Sequence, residues 1–260
     1  MIINLIMYKE PTRMNFGDEL SPSIFYFLLQ KYKVNIRFVI NKKRRMNVCF
    51  IGSLISWSNN LNYNNLCIFG SGIRNENDQL LKNKNMKIFS VRGPLSKLHL
   101  EKYGYHVPNI FGDPALLLPQ FYKPKIIEKY KNKIGVVGHL TNFHKYTNLP
   151  EEFVLINPTW LWTKVVDYIC SCKIILSSSL HGLIISDAYK IPNIWLNEYS
   201  LNEGTFKFKD YFQSQNRELI NIHSIFDYNK IEPYTNGNNI CLDQLESSFV
   251  DMCIYMWNYK

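Results

Sequence analysis

The amino-acid sequence predicts an α/β protein with parallel sheets arranged in two lobes. Short apolar runs of strand length alternate with helical patterns along most of the chain, which indicates parallel strands joined by crossover helices. Nearly every run ends in small or polar residues, as strands do where a parallel sheet forms a binding crevice. A stretch containing Lys and Pro over residues 121–133 separates two such series, so we place the lobe boundary there.

The first series predicts an N-terminal lobe over residues 1–125. The apolar runs that we interpret as strands are Ile2–Tyr8, Val48–Ile51, Leu66–Phe69, Lys87–Val91 and Asn109–Phe111. Ser21 followed by Pro22 suits the N-cap and first turn of a helix that runs to Tyr32. Pro94 is expected at the first turn of a second helix, over Leu95–Tyr103.

The second series predicts a C-terminal lobe over residues 126–260. Its predicted strands are Lys133–Val137, Phe153–Ile156, Lys173–Leu176 and Ile191–Leu196. Helical patterns cover Trp162–Cys170 and Leu183–Lys190. From about residue 240 we expect a terminal helix, Leu242–Trp257, that is able to pack back on the first lobe.

The composition allows real hydrophobic cores and gives little indication of a polymeric partner. The 260 residues are 46% hydrophobic and 15% aromatic, and the net charge is +9. We interpret the densest basic cluster, Lys42–Arg45, as a solvated turn, with a phosphate or membrane-surface patch as the alternative. No segment resembles a nucleic-acid-binding module, so no nucleic-acid partner is expected.

Cysteine usage and hydropathy favour a cytoplasmic protein. The 6 cysteines form no CxxC pair, and reduced, buried thiols are the usual state of such a pattern. The apolar N-terminal segment lacks a basic leader, and no run reaches the ~18 apolar residues that a membrane span needs. Metal and nucleotide motifs are missing too: there is no HExxH, no Cys/His ligand spacing, no Walker lysine, and Gly70-Ser71-Gly72 lacks a third glycine.

The strongest candidate for chemistry is His181, in the turn between a predicted strand and a helix. Three serines, Ser177–Ser179, precede it and Gly182 follows, within an otherwise apolar segment. This placement sets the imidazole near a helix N-terminus, where free amides and the macrodipole favour an anion. A polar turn in such surroundings is costly unless it meets a ligand.

Other polar side chains follow strands whose carboxyl ends belong to the same crevice. His139 ends the strand Lys133–Val137 and is expected beside the serine turn if the two strands are neighbours; a capping role is the alternative. Arg92 could hold a phosphate or carboxylate with two hydrogen bonds, or form a structural ion pair. Arg74, just after Gly70–Gly72, is a candidate of the same kind.

Two acidic residues also stand at strand ends. Asp18, in the segment Asn15–Asp18, could act as a general base toward a hydroxyl, or cap the helix predicted near Ser21. Asp113 lies between Gly112 and Pro114, and we interpret it as a turn-forming residue.

In their order along the chain these motifs resemble the polysaccharide pyruvyl transferases. The matching pieces are Asn15–Asp18, Gly70–Gly72, Ser90–Leu95, Gly112–Leu117, His139, Ser177–Tyr189 and Phe206–Phe212. They cover residues 15 to 212, and the long segment SSSLHGLIISDAY is the most specific of them.

The resemblance implies two Rossmann-like lobes in a GT-B-like arrangement, with the site in the cleft between an acceptor-side N-terminal lobe and a donor-side C-terminal lobe. It implies transfer of a pyruvyl group from phosphoenolpyruvate to sugar hydroxyls, which forms a ketal and releases phosphate. The setting would be bacterial surface polysaccharide (exopolysaccharide) biosynthesis. Such chemistry needs cationic donors, a general acid and a base, and no metal or redox cofactor.

By the same resemblance, specific residues receive roles. His181 would be the general acid or a phosphate contact, and Asp18 the base. The donor would be held by Arg92, His139, Ser178, Ser179, Gly182, Ser71, Gly72 and Lys207, and the acceptor by Asn15 and Arg74. Some members carry an arginine two residues before the histidine, where this chain has Ser179; that departure places more weight on Arg92, His139 or Lys207.

Two other classes of function remain open at this point. A nucleotide-sugar glycosyltransferase of GT-B type would need an acidic residue for the donor ribose, for which Glu198 and Glu203 are the candidates. A non-catalytic glycan-binding relative is the second. A lipid-linked acceptor would give the basic surface a peripheral contact with the inner face of the membrane, and the sequence carries no indication of oligomeric state.

Overall fold

Two five-stranded parallel sheets, one in each lobe, form the framework of this computed structural model. The structure describes residues 1–9, 13–60, 63, 65–80, 85–198, 204–235, 237 and 239–259. The strands of the first sheet are β1 Ile2–Ile6, β2 Arg37–Ile40, β3 Asn47–Cys49, β4 Leu66–Ile68 and β5 Met86–Ile88. Their order is β2-β1-β3-β4-β5, and all neighbours are parallel.

The second sheet repeats this topology. Its strands are β6 Ile134–Val137, β7 Phe153–Leu155, β8 Ile174–Ser177, β9 Asn193–Leu196 and β10 Asn221–Ile222. They lie in the order β10-β9-β8-β6-β7, again parallel throughout. Read from its other edge, this is the order of the first sheet. The predicted fold class, α/β with a parallel sheet in each of two lobes, is confirmed.

Helices connect the strands and cover the sheets. They are α1 Phe16–Lys31, α2 Ile55–Asn60, α3 Pro94–Lys102, α4 Trp162–Ser171, α5 Leu180–Ala188, α6 Phe206–Ser214 and α7 Leu242–Asn258. Short 3-10 segments occur at Pro114–Gln120, Glu128–Tyr130, Phe143–Tyr146 and Ile225–Lys230. Most strand residues are buried, as expected for parallel sheets covered on both faces.

The first helix begins earlier than the sequence pattern indicated, so the predicted N-cap at Ser21 is wrong. Asn15 is the N-cap and its side chain accepts a hydrogen bond from the Gly17 amide at 3.2 Å. Pro22 lies inside the helix, which continues through it because the apolar face that includes Phe16 and Phe25 is buried. Asp18 therefore lies in the first helical turn, where an acidic side chain is favoured.

Other corrections concern short or marginal strands. The predicted strand Asn109–Phe111 is absent, and Phe111 forms only an isolated bridge with Val91. The run is only three residues long between Pro108 and Gly112, whose φ of +138° turns the chain. Two strands were missed. None of the four residues of β2 is fully buried and its two ends are exposed, and β10 has only 2 residues, so neither has the buried apolar character of the core strands.

The terminal helix α7 packs on the first lobe. The ring centroid of Phe249 lies 5.6 Å from that of Phe25 and 5.5 Å from that of Phe69. Ser248 Oγ donates a hydrogen bond to the Phe89 carbonyl at 3.0 Å. The last helix of the chain thus completes the core that the first strands begin.

A single apolar cluster runs through both lobes and fixes how they face each other. It includes Leu116 and Leu117 of the 3-10 segment, which pack against α5, and residues of α1 and α4. The Phe16 amide donates to the Pro158 carbonyl across the interface at 2.9 Å. This packing brings the carboxyl ends of the two sheets to opposite sides of one cleft.

Candidate active site

The cleft between the lobes has a volume of about 620 Å³ and lies where both sheets change winding direction. Its lining residues come from strand ends and helix starts of both lobes: Tyr8, Arg13, Asn15, Asp18, Gly52, Ser53, Leu54, Ser56, Trp57, Arg74, Asn75, Asp78, Arg92, His139, Leu140, Thr141, Ser179, Leu180, His181 and Lys207. In the order found here, the switch point lies between β1 and β3 and, in the second sheet, between β6 and β8. Ligands bind at such points in open parallel sheets.

His181 occupies the first turn of α5, and its side chain is 12% exposed. Gly17 of α1 makes room for the ring, because a Cβ at that position would collide with His181 Nδ1. The other nitrogen, Nε2, lies 3.8 Å from Asp113 Oδ2. Burial, together with the charges of Arg92 and Lys207, lowers the pKa of His181 to about 3, so the resting imidazole is neutral.

Asp18, in the first lobe, lines the same cleft as His181 and is 8% exposed. Burial raises the pKa of its carboxyl to about 7, with a further rise from Glu19, while Lys207 and the Asn15 hydrogen bond oppose it. A carboxyl with this pKa exchanges its proton near neutrality, which suits a group that transfers protons at physiological pH.

Lys207 is the cation shared by the ionisable groups of the cleft. It stands at the start of α6, and burial together with Arg74 and Arg92 lowers its pKa to about 8. Its charge in turn acts on the pKa values of Asp18, His139 and His181. The segment Phe206–Phe212, singled out from sequence, therefore brings its lysine to the cleft.

His139 lies beside the serine turn because β6 and β8 are neighbours. Its amide donates to Ser178 Oγ at 2.9 Å, and its Nδ1 lies 2.9 Å from Thr141 Oγ1. Burial lowers the pKa of His139 to about 4, with contributions from Lys207 and Arg74. It lines the cleft as a neutral side chain that can hydrogen-bond a ligand.

Arg92 reaches the cleft but forms the structural ion pair that the sequence left as an alternative. It is 1% exposed, and its Nε donates to Asp210 Oδ2 at 3.2 Å. The other two nitrogens donate to Ser53 Oγ and to the Ile73 carbonyl, each at 2.7 Å. Arg92 therefore links α6 to the first lobe through Asp210. Its charge still acts on the ionisable groups of the cleft, although its own nitrogens are hydrogen-bonded within the protein.

The small residues proposed from sequence divide into two groups. Ser179 lines the cleft at the N-terminus of α5. Ser71, Gly72 and Gly182 serve packing in the described structure. Ser71 Oγ donates to the Gly52 carbonyl at 2.7 Å. A Cβ at Gly72 would collide with the Arg92 guanidinium, and one at Gly182 with Ser177 Oγ. Ser178 is fully buried and supports the His139 amide.

Arg74 and Asn15 both line the cleft on the first-lobe side. Arg74 is exposed, and Asn15 is held as the N-cap of α1. Cationic side chains outnumber carboxylates among the described lining residues, which gives the cleft a preference for anions.

Two aromatic side chains that the sequence patterns did not single out also line this cleft. Tyr8 and Trp57 line the rim, each 40% exposed, with ring centroids 6.5 Å apart in an edge-to-face arrangement. Tyr8 follows β1, and Trp57 lies on the six-residue helix α2. The two rings are distant in sequence, and the pairing of the strands brings them close together. Asp113 does cap the 3-10 segment as a turn residue, accepting from Ala115 N at 3.0 Å, and it also faces His181.

Neither a metal cluster nor a membrane-spanning helix occurs in the described part of the chain. No group of three or more His, Cys, Asp or Glu side chains is arranged to hold a metal ion there. None of its helices is both long enough and apolar enough to cross a bilayer.

The fold and the cleft together define a two-lobed α/β class of protein, in which ionisable side chains from both lobes meet between parallel sheets. A family profile described as polysaccharide pyruvyl transferase matches residues 15–199, more than half of the chain. The chain belongs to the polysaccharide pyruvyl transferase family, as the sequence motifs indicated.

The proteins that resemble this chain include a viral protein and a bacterial protein of known structure. An uncharacterised protein of Acanthamoeba polyphaga mimivirus is 29% identical over 187 residues, which are 62% of this chain and 58% of that protein. The chain thus matches less than two thirds of the relative's length. A crystal structure of a functionally uncharacterised protein from Klebsiella pneumoniae has a TM-score of 0.53 at 15% identity, covering 84% of this chain and 92% of that one. The second likeness concerns the fold alone.

Proposed function

We propose that the protein transfers the pyruvyl group of phosphoenolpyruvate to hydroxyls of a sugar residue, forming a ketal and releasing inorganic phosphate. The observation that carries the proposal is the meeting of Asp18, Lys207 and His181 in one cleft of a chain that belongs to this family. We place the reaction in surface-polysaccharide biosynthesis, with the donor on the second-lobe side and the acceptor on the first-lobe side.

The donor carries a phosphate and a carboxylate, so its site needs cations and amide donors. Ser179 stands where some family members have an arginine, and the nitrogens of Arg92 are already bonded to Asp210, Ser53 and Ile73. We therefore assign the donor phosphate to Lys207 and the N-terminus of α5, where the helix dipole favours an anion. His139 completes this side of the cleft.

The chemistry requires one proton to be delivered and two to be removed. Protonation of the donor methylene carbon gives a cationic centre at the neighbouring carbon, and a sugar hydroxyl oxygen bonds to that centre as its proton leaves to a base. A second hydroxyl then forms the other C–O bond while the bond to phosphate oxygen breaks. Phosphate departs with the bonding electron pair, and the remaining proton passes to it or to solvent.

Asp18 and His181 are the groups that move these protons in the proposal. The resting His181 is neutral, and an anionic donor beside it raises its pKa, so that the donor itself brings the acid into its protonated form. Asp18 accepts the hydroxyl proton, since its pKa of about 7 leaves it substantially ionised at neutral pH. This scheme uses phosphoenolpyruvate as a substrate and no other cofactor.

The rim of the first lobe suits a sugar acceptor. The exposed rings of Tyr8 and Trp57 offer apolar faces to a pyranose, and Asn75 and Asp78 add polar groups at the same rim. We propose that the acceptor lies here, between the rings and Asp18. Trp57→Ala should then raise the KM for the acceptor about tenfold and leave phosphoenolpyruvate binding unchanged, as measured by initial rates and calorimetry.

The nucleotide-sugar glycosyltransferase alternative receives less support. Glu198 accepts a hydrogen bond from the Tyr146 hydroxyl at 2.7 Å and is not one of the described cleft-lining residues. The other candidate, Glu203, lies outside the residues that the structure describes.

Thermal denaturation with each donor distinguishes the pyruvyltransferase from the glycosyltransferase hypothesis. Phosphoenolpyruvate at 100 times its Kd should stabilise the protein by about 2.7 kcal/mol, because a ligand that binds only the native state shifts unfolding by mass action. UDP-glucose and GDP-mannose should give no shift. Stabilisation by a nucleotide sugar and not by phosphoenolpyruvate would overturn the proposal.

Turnover is tested by release of inorganic phosphate from phosphoenolpyruvate in the presence of surface glycans. His181→Ala should reduce the rate by roughly 10²–10⁴-fold, the usual contribution of a positioned acid. His106→Ala is the matched control, because His106 is exposed and does not line the cleft. Near-normal turnover in His181→Ala would show that the site is wrongly assigned.

A further inference from the structure

Asp113 lies behind His181 and has one carboxylate oxygen that the fold does not employ. Its Oδ1 caps the 3-10 segment Pro114–Gln120 by accepting from Ala115 N at 3.0 Å. Its Oδ2 is 3.8 Å from His181 Nε2, and neither atom has a hydrogen-bond partner among the described residues. The Asp113 side chain is only 1% exposed. A buried, unpaired carboxylate oxygen is costly, so its aim at an equally unpaired ring nitrogen requires an explanation.

The cap alone does not explain this orientation. An N-cap needs one acceptor oxygen, which serine or asparagine supplies as well as aspartate. Oδ1 already meets that need at Asp113, whereas Oδ2 points across the lobe interface toward a side chain 68 positions later in the chain, His181. The second oxygen is the one that distinguishes aspartate from a simple cap.

The two ring nitrogens of His181 have different surroundings. Nε2 is buried on the Asp113 side, while Nδ1 lies next to Gly17, where only a hydrogen atom stands in place of a side chain. His181 itself lines the cleft. A proton held on Nε2 would thus leave Nδ1 as the unprotonated nitrogen, the one that is not directed at Asp113.

We propose that Asp113 is a positioning residue for His181, whose carboxylate holds the Nε2–H tautomer and so keeps Nδ1 as the nitrogen that exchanges protons with a ligand. The inference deepens the proposed function and rests on it for its catalytic meaning. On protonation of the ring, Nε2–H and Oδ2 become an ion pair and close from 3.8 Å to hydrogen-bond distance. Catalytic hydrogen bonds are often long in unliganded structures and tighten in the complex.

The pair also offsets a conflict in the electrostatics of the cleft. Arg92 and Lys207 both disfavour a charged ring at His181. A general acid at this position therefore needs an anion on its other side, and Asp113 is the carboxylate that faces its buried nitrogen. The arrangement of a buried carboxylate behind a histidine is a general means of fixing ring orientation and tautomer.

The first test measures the tautomer directly and needs no substrate. Protein labelled with ¹⁵N-histidine contains 6 imidazoles, and His181→Gln assigns the resonance of interest. At pH 7 the wild-type His181 should be neutral with its proton on Nε2. A proton on Nδ1, or an equal mixture of tautomers, would overturn the proposal even if every Asp113 variant failed to fold.

Two variants separate positioning from capping. Asp113→Asn keeps the capping oxygen and presents an amide N–H₂ to Nε2, so the proton should move to Nδ1. Asp113→Ser keeps a cap and offers Nε2 nothing, so both tautomers should be populated. If Asp113→Asn folds and leaves His181 in the Nε2–H form, Asp113 acts as a cap only.

Phosphate release then connects the tautomer to catalysis. Asp113→Asn should lower kcat by on the order of 10²–10⁴-fold with little change in the KM for phosphoenolpyruvate, and Asp113→Ser should lose less. Equal losses in both variants without a change of tautomer would contradict the inference. If the tautomers behave as expected but phosphoenolpyruvate gives no phosphate, the positioning role stands and the proposed function fails.

Discussion

At the scale of single residues, the cleft holds ionisable groups in protonation states that water alone would not give them. Burial raises the pKa of Asp18 to about 7 and lowers that of His181 to about 3. Both shifts disfavour charge, which is the expected effect of desolvation, and both make the folded chain less stable over part of the pH range. Such strain is typical of sites that must exchange protons.

The free-energy cost of burying the Asp18 carboxyl can be measured from the pH dependence of protein stability. Below pH 4 the carboxyl is protonated in the folded and in the unfolded chain, so Asp18→Asn should leave the free energy of unfolding unchanged. Between pH 4 and 7 only the unfolded chain ionises this group, since its pKa is raised from 3.8 to about 7 in the folded state. The stability of the variant relative to the wild type should therefore increase as the pH rises, because the wild type loses stability. The difference in the free energy of unfolding should reach up to about 4 kcal/mol above pH 7.

Urea denaturation of wild type and Asp18→Asn at pH 3.5 and pH 8 checks this expectation. Glu218→Gln is a suitable control because Glu218 is exposed. A variant that gains nothing at pH 8, or gains equally at both pH values, would show that Asp18 does not hold a raised pKa.

Lys207 should be the residue that couples the cleft electrostatically. Its removal in Lys207→Met should raise the pKa of His139 from about 4 toward 6.5, by part of that interval, because burial is the larger cause of the shift. Histidine NMR titration measures the change. Lys209 lies on the same helix but is not one of the described residues that line the cleft, so Lys209→Met should leave the pKa of His139 unchanged. An unchanged pKa of His139 in Lys207→Met would show that Lys207 does not couple the ionisable groups of the cleft.

At this scale the sequence indicates the right residue types but not their division of labour. His181, Asp18, His139 and Lys207 could be selected because each follows a strand end or opens a helix in a recognisable motif. The pairing of Arg92 with Asp210 joins residues 118 positions apart, and the approach of Asp113 to His181 crosses the lobe interface. Such contacts depend on packing of the whole chain, which local pattern does not report.

At the scale of elements, α6 is the link between the second-lobe site and the first lobe. Asp210 accepts from the Ser96 amide at 2.9 Å and from its hydroxyl at 2.6 Å, in addition to its ion pair with Arg92. Lys207 stands one turn earlier on the same helix. The contacts of Asp210 therefore determine where the cleft lysine lies.

Breaking this attachment should destabilise the fold and disturb the cleft together. Asp210→Ala leaves the Arg92 guanidinium buried without its partner, and loss of one member of a buried ion pair costs about 3–5 kcal/mol. Chemical denaturation measures the loss, and calorimetry should show weaker phosphoenolpyruvate binding. The exposed Asp251 supplies the control, since Asp251→Ala should change stability by no more than about 0.5 kcal/mol. A wild-type stability in Asp210→Ala would contradict the attachment.

Element boundaries show where local pattern is a poor guide. The parallel core strands were found because burial on both faces gives continuous apolar runs. The start of α1 was misplaced because Ser21-Pro22 has the composition of an N-cap, whereas the buried face of the helix already begins at Phe16. The edge strand β2 was missed because its partly exposed side chains carry no such signal.

At the scale of the whole molecule, one apolar cluster spans the two lobes, and both lobes have the same sheet topology. The equivalence of strand order was not visible as a sequence repeat, because topology depends on which strands pair and not on residue identity. The terminal helix α7 closes the first lobe through Phe249, whose ring lies against Phe25 and Phe69. Residues that are distant in sequence thus pack together to form the lobes on either side of the cleft.

We expect α7 to contribute strongly to the stability of the fold. Phe249→Ala should lower the free energy of unfolding by about 3–5 kcal/mol, the usual cost of emptying a buried aromatic site. Ile254 on the same helix is 54% exposed, so Ile254→Ala should have a much smaller effect. Because the core cluster spans both lobes, calorimetry should show a single transition in each case. A separate low-temperature transition for one lobe would contradict the shared core.

We propose that phosphoenolpyruvate binds in the cleft between the lobes, with its phosphate at Lys207 and its methylene carbon toward His181. A crystal structure of the protein soaked with phosphoenolpyruvate tests this proposal. We predict donor density in the cleft, with a phosphate oxygen within hydrogen-bond distance of Lys207 Nζ and the methylene carbon next to His181. Density for the donor elsewhere on the molecule, with an empty cleft at millimolar ligand, would contradict it.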